Sequence, residues 1–108
     1  MSAVPLLELS IDSVEEARVI RARGEVDMSS VGELRRQIDA ARGDGAATLL
    51  DLSEVTFMDS TGLHLLIEAS RRAETDGWPS FVIRPSPPVR RLLEVSGTLG
   101  MLPVVVDE

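Results

Sequence analysis

The chain contains no cysteine. Disulfides, thiolate nucleophiles and thiolate metal ligands are therefore outside its chemistry. It has a single histidine, His64, too few for a His/Cys metal centre, and neither a metal nor another cofactor is expected. Lysine is absent, so all 11 basic residues are arginines. Aromatic residues make up 3%, namely Phe57, Trp78 and Phe81, and the core has to be aliphatic. No apolar run approaches the roughly 20 residues of a membrane-spanning helix. Met1 to Pro5 also lack the charged start and apolar stretch of a secretory signal. A soluble, cytoplasmic chain without membrane contact is the simplest expectation. The formal net charge of −7 disfavours direct nucleic-acid binding, which rests on cationic side chains displacing counterions from phosphates.

What remains is enough for one core. With 108 residues, 44% of them hydrophobic, the chain is expected to form one domain. Leu6 to Ile11 reads as a short strand, Asp12 to Glu16 as a polar turn, and Ala17 to Val26 as a second, well-alternating strand, together an antiparallel hairpin. Gly24 within that second strand predicts a bulge or a close backbone approach. Ser30 followed by Glu33 fits a capping box, and Val31, Leu34, Ile38 and Ala41 then share one helical face, up to Gly43 and Gly45. Ala47 to Leu52 reads as a strand buried on both faces. A second helix is expected from Ser60 or Thr61 to Thr75, with Leu63, Leu66, Ile67, Ser70 and Ala73 inward and Leu65 opposite them. Asp76 to Pro79 is a turn and Phe81 to Arg84 a strand. Ser86-Pro87-Pro88 opens a third helix, Leu102 to Val106 is a last strand, and Asp107-Glu108 a tail. Two strands followed by alternating helices and strands predict an α/β fold with a mixed sheet and right-handed crossovers.

The stretch from Leu49 to Leu63 organises the rest, because it carries a buried strand into an amphipathic helix through Asp59-Ser60-Thr61-Gly62. Read by itself, Ser60 has three meanings. It can cap the helix, a contribution of about 1 kcal/mol. It can be a nucleophile with His64, four residues on, as its base, although no third group orients the imidazole and the Gly-x-Ser-x-Gly elbow is missing. It can accept a phosphate, which the positive end of a helix favours.

The run Val55-Thr56-Phe57-Met58-Asp59-Ser60-Thr61-Gly62-Leu63 resembles the phosphorylation-loop signature of bacterial anti-sigma factor antagonists, stand-alone members of the STAS domain family. Gly24-Glu25-Val26-Asp27 resembles that family's second signature. Pro88-Val89-Arg90-Arg91-Leu92-Leu93, followed by Ser96-Gly97, resembles its last helix and turn. The likeness extends from about Leu6 to Val106. It implies that residues 1–108 form a single STAS domain, a mixed β-sheet packed with three to four helices.

The resemblance also implies a function without catalysis. Ser60 would be the phosphorylated residue, with Thr61 a secondary candidate. The implied partner is an anti-sigma factor that is also a serine kinase with a histidine-kinase-like ATPase fold. Unphosphorylated antagonist captures it and frees a sigma factor; phosphorylation turns the antagonist off, and a serine phosphatase reverses this. Asp27 and Asp59 would lie on the binding face. For Asp27, a turn role before Ser29-Ser30 stands equally open. Gly62 would permit close packing or a tight helix start at that face. His64 stands where relatives often carry glycine, and it would add a contact or restrict kinase access. Leu65 joins the expected contacts because of its outward position, the alternative being a singly exposed leucine. The competing role is a scaffold subunit of a larger signalling or transporter assembly.

Overall fold

The computed structural model of the chain describes residues 6–78 and 80–105. Expectations for Met1 to Pro5, Pro79, Val106 and Asp107-Glu108 lie outside them. The hairpin pairs β1 (Leu7–Val14) antiparallel with β2 (Ala17–Val26) around a two-residue turn at Glu15-Glu16, with Glu15 at φ 57°. β1 runs on to Val14 instead of stopping at Ile11. Its outer half is exposed throughout and is held by pairing with β2; Asp12 accepts from Arg21 at 2.7 Å.

A helix, α1 (Val31–Gly43), leads to β3 (Ala47–Met58), and α2 (Ser60–Thr75) leads to β4 (Phe81–Pro85). β3 is parallel to both β2 and β4, giving a mixed sheet in the order β1-β2-β3-β4. α3 (Pro87–Val95) follows, capped by Ser86, whose Oγ accepts from the Val89 N–H at 3.3 Å with prolines in the first turn. A 3-10 turn at Leu99–Met101 comes after it, and the described residues form three α-helices, within the three to four expected.

Two strands differ from expectation. β3 continues six residues beyond Leu52. Arg21 faces Asp51 and Arg23 faces Glu54, and then Gly24 faces Val55 and Glu25 faces Phe57. β3 therefore carries an extra residue twice, and each bulge breaks the two-residue period by which a strand is recognised. The expected last strand at Leu102 is a single bridge, Ile83 to Val104, with Val105 N–H donating to Ile83 O at 2.7 Å.

Gly24 behaves as its sequence context predicts. Its φ is +111°, a Cβ there would lie 2.1 Å from Leu6 O, and the register shifts directly after it. Leu6 O approaches this closely because it accepts the Glu25 N–H at 2.7 Å.

Alternate strand positions send Ile20, Ala22, Leu50, Leu52 and Ile83 into one core with Leu34 and Ile38 of α1, Leu66 of α2, and Val89 and Leu93 of α3, all at most 2% exposed. The intervening positions carry a ladder of charge. Arg21 reaches Asp12 and, at 3.4 Å, Asp51; Arg84 lies 3.8 Å from Asp51, and Arg23 bonds Glu54 at 3.2 Å. Trp78 stacks on Phe81 at 4.8 Å between ring centroids, and its indole N–H donates to Ala46 O. No helix among the described residues is long and apolar enough to cross a membrane.

Candidate functional site

Parallel pairing brings the two signature segments together. Val26 and Met58 are opposite one another at the ends of β2 and β3, and the Asp59 N–H donates to Val26 O at 3.1 Å. Asp27 and Asp59 therefore leave adjacent strands side by side, close enough for their charges to repel. α2 starts hard against these strand ends. A Cβ on Gly62 would lie 2.5 Å from Met58 Cγ and 2.9 Å from Val26 Cγ1. Gly62 is buried, so it offers no surface to a partner. Its part at that face is the close packing its sequence context suggested, with the missing side chain letting the helix seat on both strands.

The helix cap is Asp59, not Ser60. Asp59 Oδ1 accepts from the Thr61 N–H at 2.9 Å, the Gly62 N–H at 3.4 Å and the Thr61 hydroxyl at 2.5 Å. An ionised carboxylate satisfies several orphan donors of the first turn at once. Ser60 is left at the first helical position, exposed, with no hydrogen bond to its hydroxyl among the described residues. Thr61 is half-buried and its hydroxyl is committed to Asp59.

Asp27 makes a turn. Its Oδ1 accepts from the Ser29 N–H at 2.9 Å, the Ser29 hydroxyl at 2.7 Å and the Ser30 hydroxyl at 3.3 Å. The expected Ser30–Glu33 capping box does not form. Ser30 Oγ instead donates to Glu25 O at 2.9 Å and accepts the Asp27 N–H at 3.0 Å, and no side chain caps α1. The turn between β2 and α1 takes this hydroxyl because Asp27 and Glu25 present groups closer than the helix N–H groups.

Hydrogen bonds hold both carboxyls below the usual carboxylate range: for Asp59 first the Thr61 hydroxyl, for Asp27 first the Ser29 hydroxyl. A carboxyl lowered on folding stabilises the fold above its unfolded value near pH 4 and loses that contribution as the pH falls through the folded value. Thermal stability is expected to drop below about pH 4, with a shallower acid slope in Asp59→Asn. Parallel pH profiles of the two proteins check this; identical slopes would contradict it.

His64 is exposed on α2, and no hydrogen bond joins it to Ser60 among the described residues. Leu65 is a correction. It is only 2% exposed and lies in the seam between α1 and α2 with Ile38, Ala69 and Trp78. α2 packs against α1 as well as the sheet, so its buried arc is wider than one helical face. Ion pairs join the same two helices, Arg35 to Glu68 at 2.9 Å and Arg72 to Asp39 at 3.8 Å. Leu65→Ala is expected to cost about 3 kcal/mol of stability without changing partner affinity; urea unfolding beside a binding assay separates the two. The exposed apolar residues beside the site are Phe57, opposite Glu25 on the strand pair, and Met28, just after Asp27. Sequence reasoning passed over both. Phe57 sits in a bulged strand end and Met28 in a turn, so neither lies on a periodic face.

A family model described as the Mlab, STAS domain matches residues 9–103. The chain belongs to the STAS-domain family. An anti-sigma F factor antagonist from Lysinibacillus sphaericus is 34% identical over 84 residues, covering 76% of this chain and 72% of that protein. The crystal structure of an anti-sigma factor antagonist from Mycobacterium paratuberculosis superposes with a TM-score of 0.84 at 25% identity, covering 99% of this chain and 92% of the other. The Bacillus cell fate determinant SpoIIAA in its phosphorylated form gives 0.70 at 28% identity, covering 94% and 92%, and its unphosphorylated form gives 0.72 at 27%, covering 93% and 90%. These relatives carry the name of anti-sigma factor antagonists.

In this STAS domain the site combines an open hydroxyl, two ionised carboxylates and two exposed apolar side chains at one end of the sheet. No group of three or more His, Asp or Glu among the described residues is placed to hold a metal ion.

Proposed function

We propose that the protein is an anti-sigma factor antagonist whose binding is switched by phosphorylation of Ser60. The observation that carries this reading is the division of labour in the first turn of α2. Asp59 takes the capping bonds, so Ser60 Oγ remains exposed and uncommitted. A kinase can reach it without opening the fold. Thr61, tied to Asp59, is the poorer acceptor.

The partner in this reading is an anti-sigma factor/serine kinase of histidine-kinase-like ATPase fold. Met28 and Phe57 give it apolar contact, and Asp27 and Asp59 give it acidic groups to pair. Phosphorylation moves the γ-phosphoryl group of ATP to Ser60 Oγ; the hydroxyl proton leaves and ADP departs. The added charge of about −1.5 to −2 meets favourable helix N–H groups and two unfavourable carboxylates. These oppose one another, so the fold changes little. The near-equal likeness to both forms of SpoIIAA supports this balance. The cost appears when a partner must bury the phosphate. A serine phosphatase restores the binding form. The switch acts in the cytoplasm, where the sigma factor works, and needs no nucleic-acid or membrane contact of its own.

Affinity capture from the native cytoplasm tests this reading. Ser60→Ala bait is expected to retain an ATP-binding anti-sigma factor and Ser60→Asp bait to lose it. Equal retention by both, or retention of a large assembly without such a kinase, would favour the scaffold role instead.

A further inference from the structure

His64 lies one helical turn beyond Ser60, and both side chains are exposed. Residues four apart on a helix are neighbours. Helical side chains also lean toward the N-terminus, so a residue covers the turn before its own Cα. These directions put His64 on the face of the first turn, within reach of a group added to Ser60. No ion pair reaches Asp27 or Asp59 among the described residues; the charge felt by Asp59 is the like charge of Asp27. The arginines of α2, Arg71 and Arg72, stand about 16 Å or more further along the axis. Glu68, the acid one turn past His64, is already held by Arg35 at 2.9 Å and Arg72 at 3.4 Å. The open surface beside His64 is lined by Ile67, Glu68, Arg71 and Arg72, all of α2.

We infer that His64 is the counter-ion of a phosphate on Ser60, its protonated imidazole donating a hydrogen bond to a phosphate oxygen. The inference rests on the phosphoacceptor reading and adds its regulation. A phosphate at this position has two carboxylates beside it, and among the described residues of α2 His64 is the nearest along the helix that can bring positive charge to it. Phosphate loses its second proton near pH 6, so the charge it carries changes in that range. Neutralisation by His64 lessens the charge shown to a partner, so the phosphorylated state discriminates less as the pH falls.

The test uses protein with phosphoserine installed at position 60 during synthesis, so it does not depend on phosphorylation in the cell. Phosphorus NMR follows the phosphate from about pH 5 to about pH 8 in the phosphorylated chain and in its His64→Gln and His64→Arg variants. His64→Gln is expected to raise the phosphate's titration midpoint by about half a pH unit or more, a threefold or greater change in proton affinity. His64→Arg, with a fixed charge, is expected to restore or lower the midpoint. Equal midpoints in all three folded proteins would overturn the inference and leave the switch itself standing. Absence of Ser60 phosphorylation in cells would do the reverse.

Discussion

Ser60→Ala is expected to bind the anti-sigma partner as tightly as the unmodified protein, and Ser60→Asp about a hundredfold more weakly, a loss of about 3 kcal/mol. The alanine variant loses a hydroxyl that makes no hydrogen bond among the described residues, so neither fold nor cap is disturbed while Asp59 keeps its bonds to Thr61 and Gly62. The aspartate variant adds a charge at the first position of α2, beside Asp59 and Asp27. Helix N–H groups favour it by about 0.3–1 kcal/mol and the two carboxylates oppose it, so its stability stays near that of the parent. At an interface the balance differs. Burying an additional anion that the partner does not pair costs several kcal/mol, while Phe57 and Met28 beside it need a dry contact to contribute. Titration calorimetry with the purified partner, run beside thermal unfolding, separates the terms. Weak binding by Ser60→Ala as well would show that the hydroxyl is a contact rather than a switch. Unfolding of Ser60→Asp would show that the charge acts on the fold.

The largest stability effect is expected at Gly24. Gly24→Ala should cost about 3 kcal/mol or more, from backbone strain at positive φ and from overpacking. The residue has φ +111°, and its Cβ would lie 2.1 Å from the Leu6 carbonyl oxygen. That oxygen belongs to backbone and is fixed by the Glu25 N–H, so relief requires β1 to pull away from β2. The strain then passes to Val26 and Asp27, two and three residues on, where β2 delivers one half of the site. Partner affinity should fall along with stability, unlike Leu65→Ala, where stability alone falls. Urea unfolding gives the first quantity; a loss below about 1 kcal/mol would mean that this close approach is not a fixed part of the fold.

Ala17 to Val26 was legible to the residue because its alternation meets one buried and one charged face. The second half of β3 was not, since two bulges spoil the period between Asp51 and Phe57. α2 was legible as a helix, yet its outward face was misjudged at Leu65, because a helical wheel cannot show that α1 packs alongside. At the site, the motifs pointed to Ser60, Asp59 and Asp27, which the fold brings to adjacent strand ends. They could not tell which of two adjacent polar residues takes the cap. That depends on the backbone entering α2 with Asp59 extended at φ −97°, ψ −172°, which aims its carboxylate at the first-turn N–H groups. Ser30 shows the same limit. Its spacing to Glu33 fits a cap, but nearer partners in the Asp27 turn take the hydroxyl.

The central claim, that Ser60 is the residue on which the switch turns, is tested most directly by intact mass and peptide mapping of the protein isolated from its native cells during growth and stress. The account predicts an adduct of one phosphoryl group, about 80 Da, that maps to Ser60 and disappears on phosphatase treatment. An unmodified Ser60 under every condition, or an adduct confined to Thr61, would contradict it.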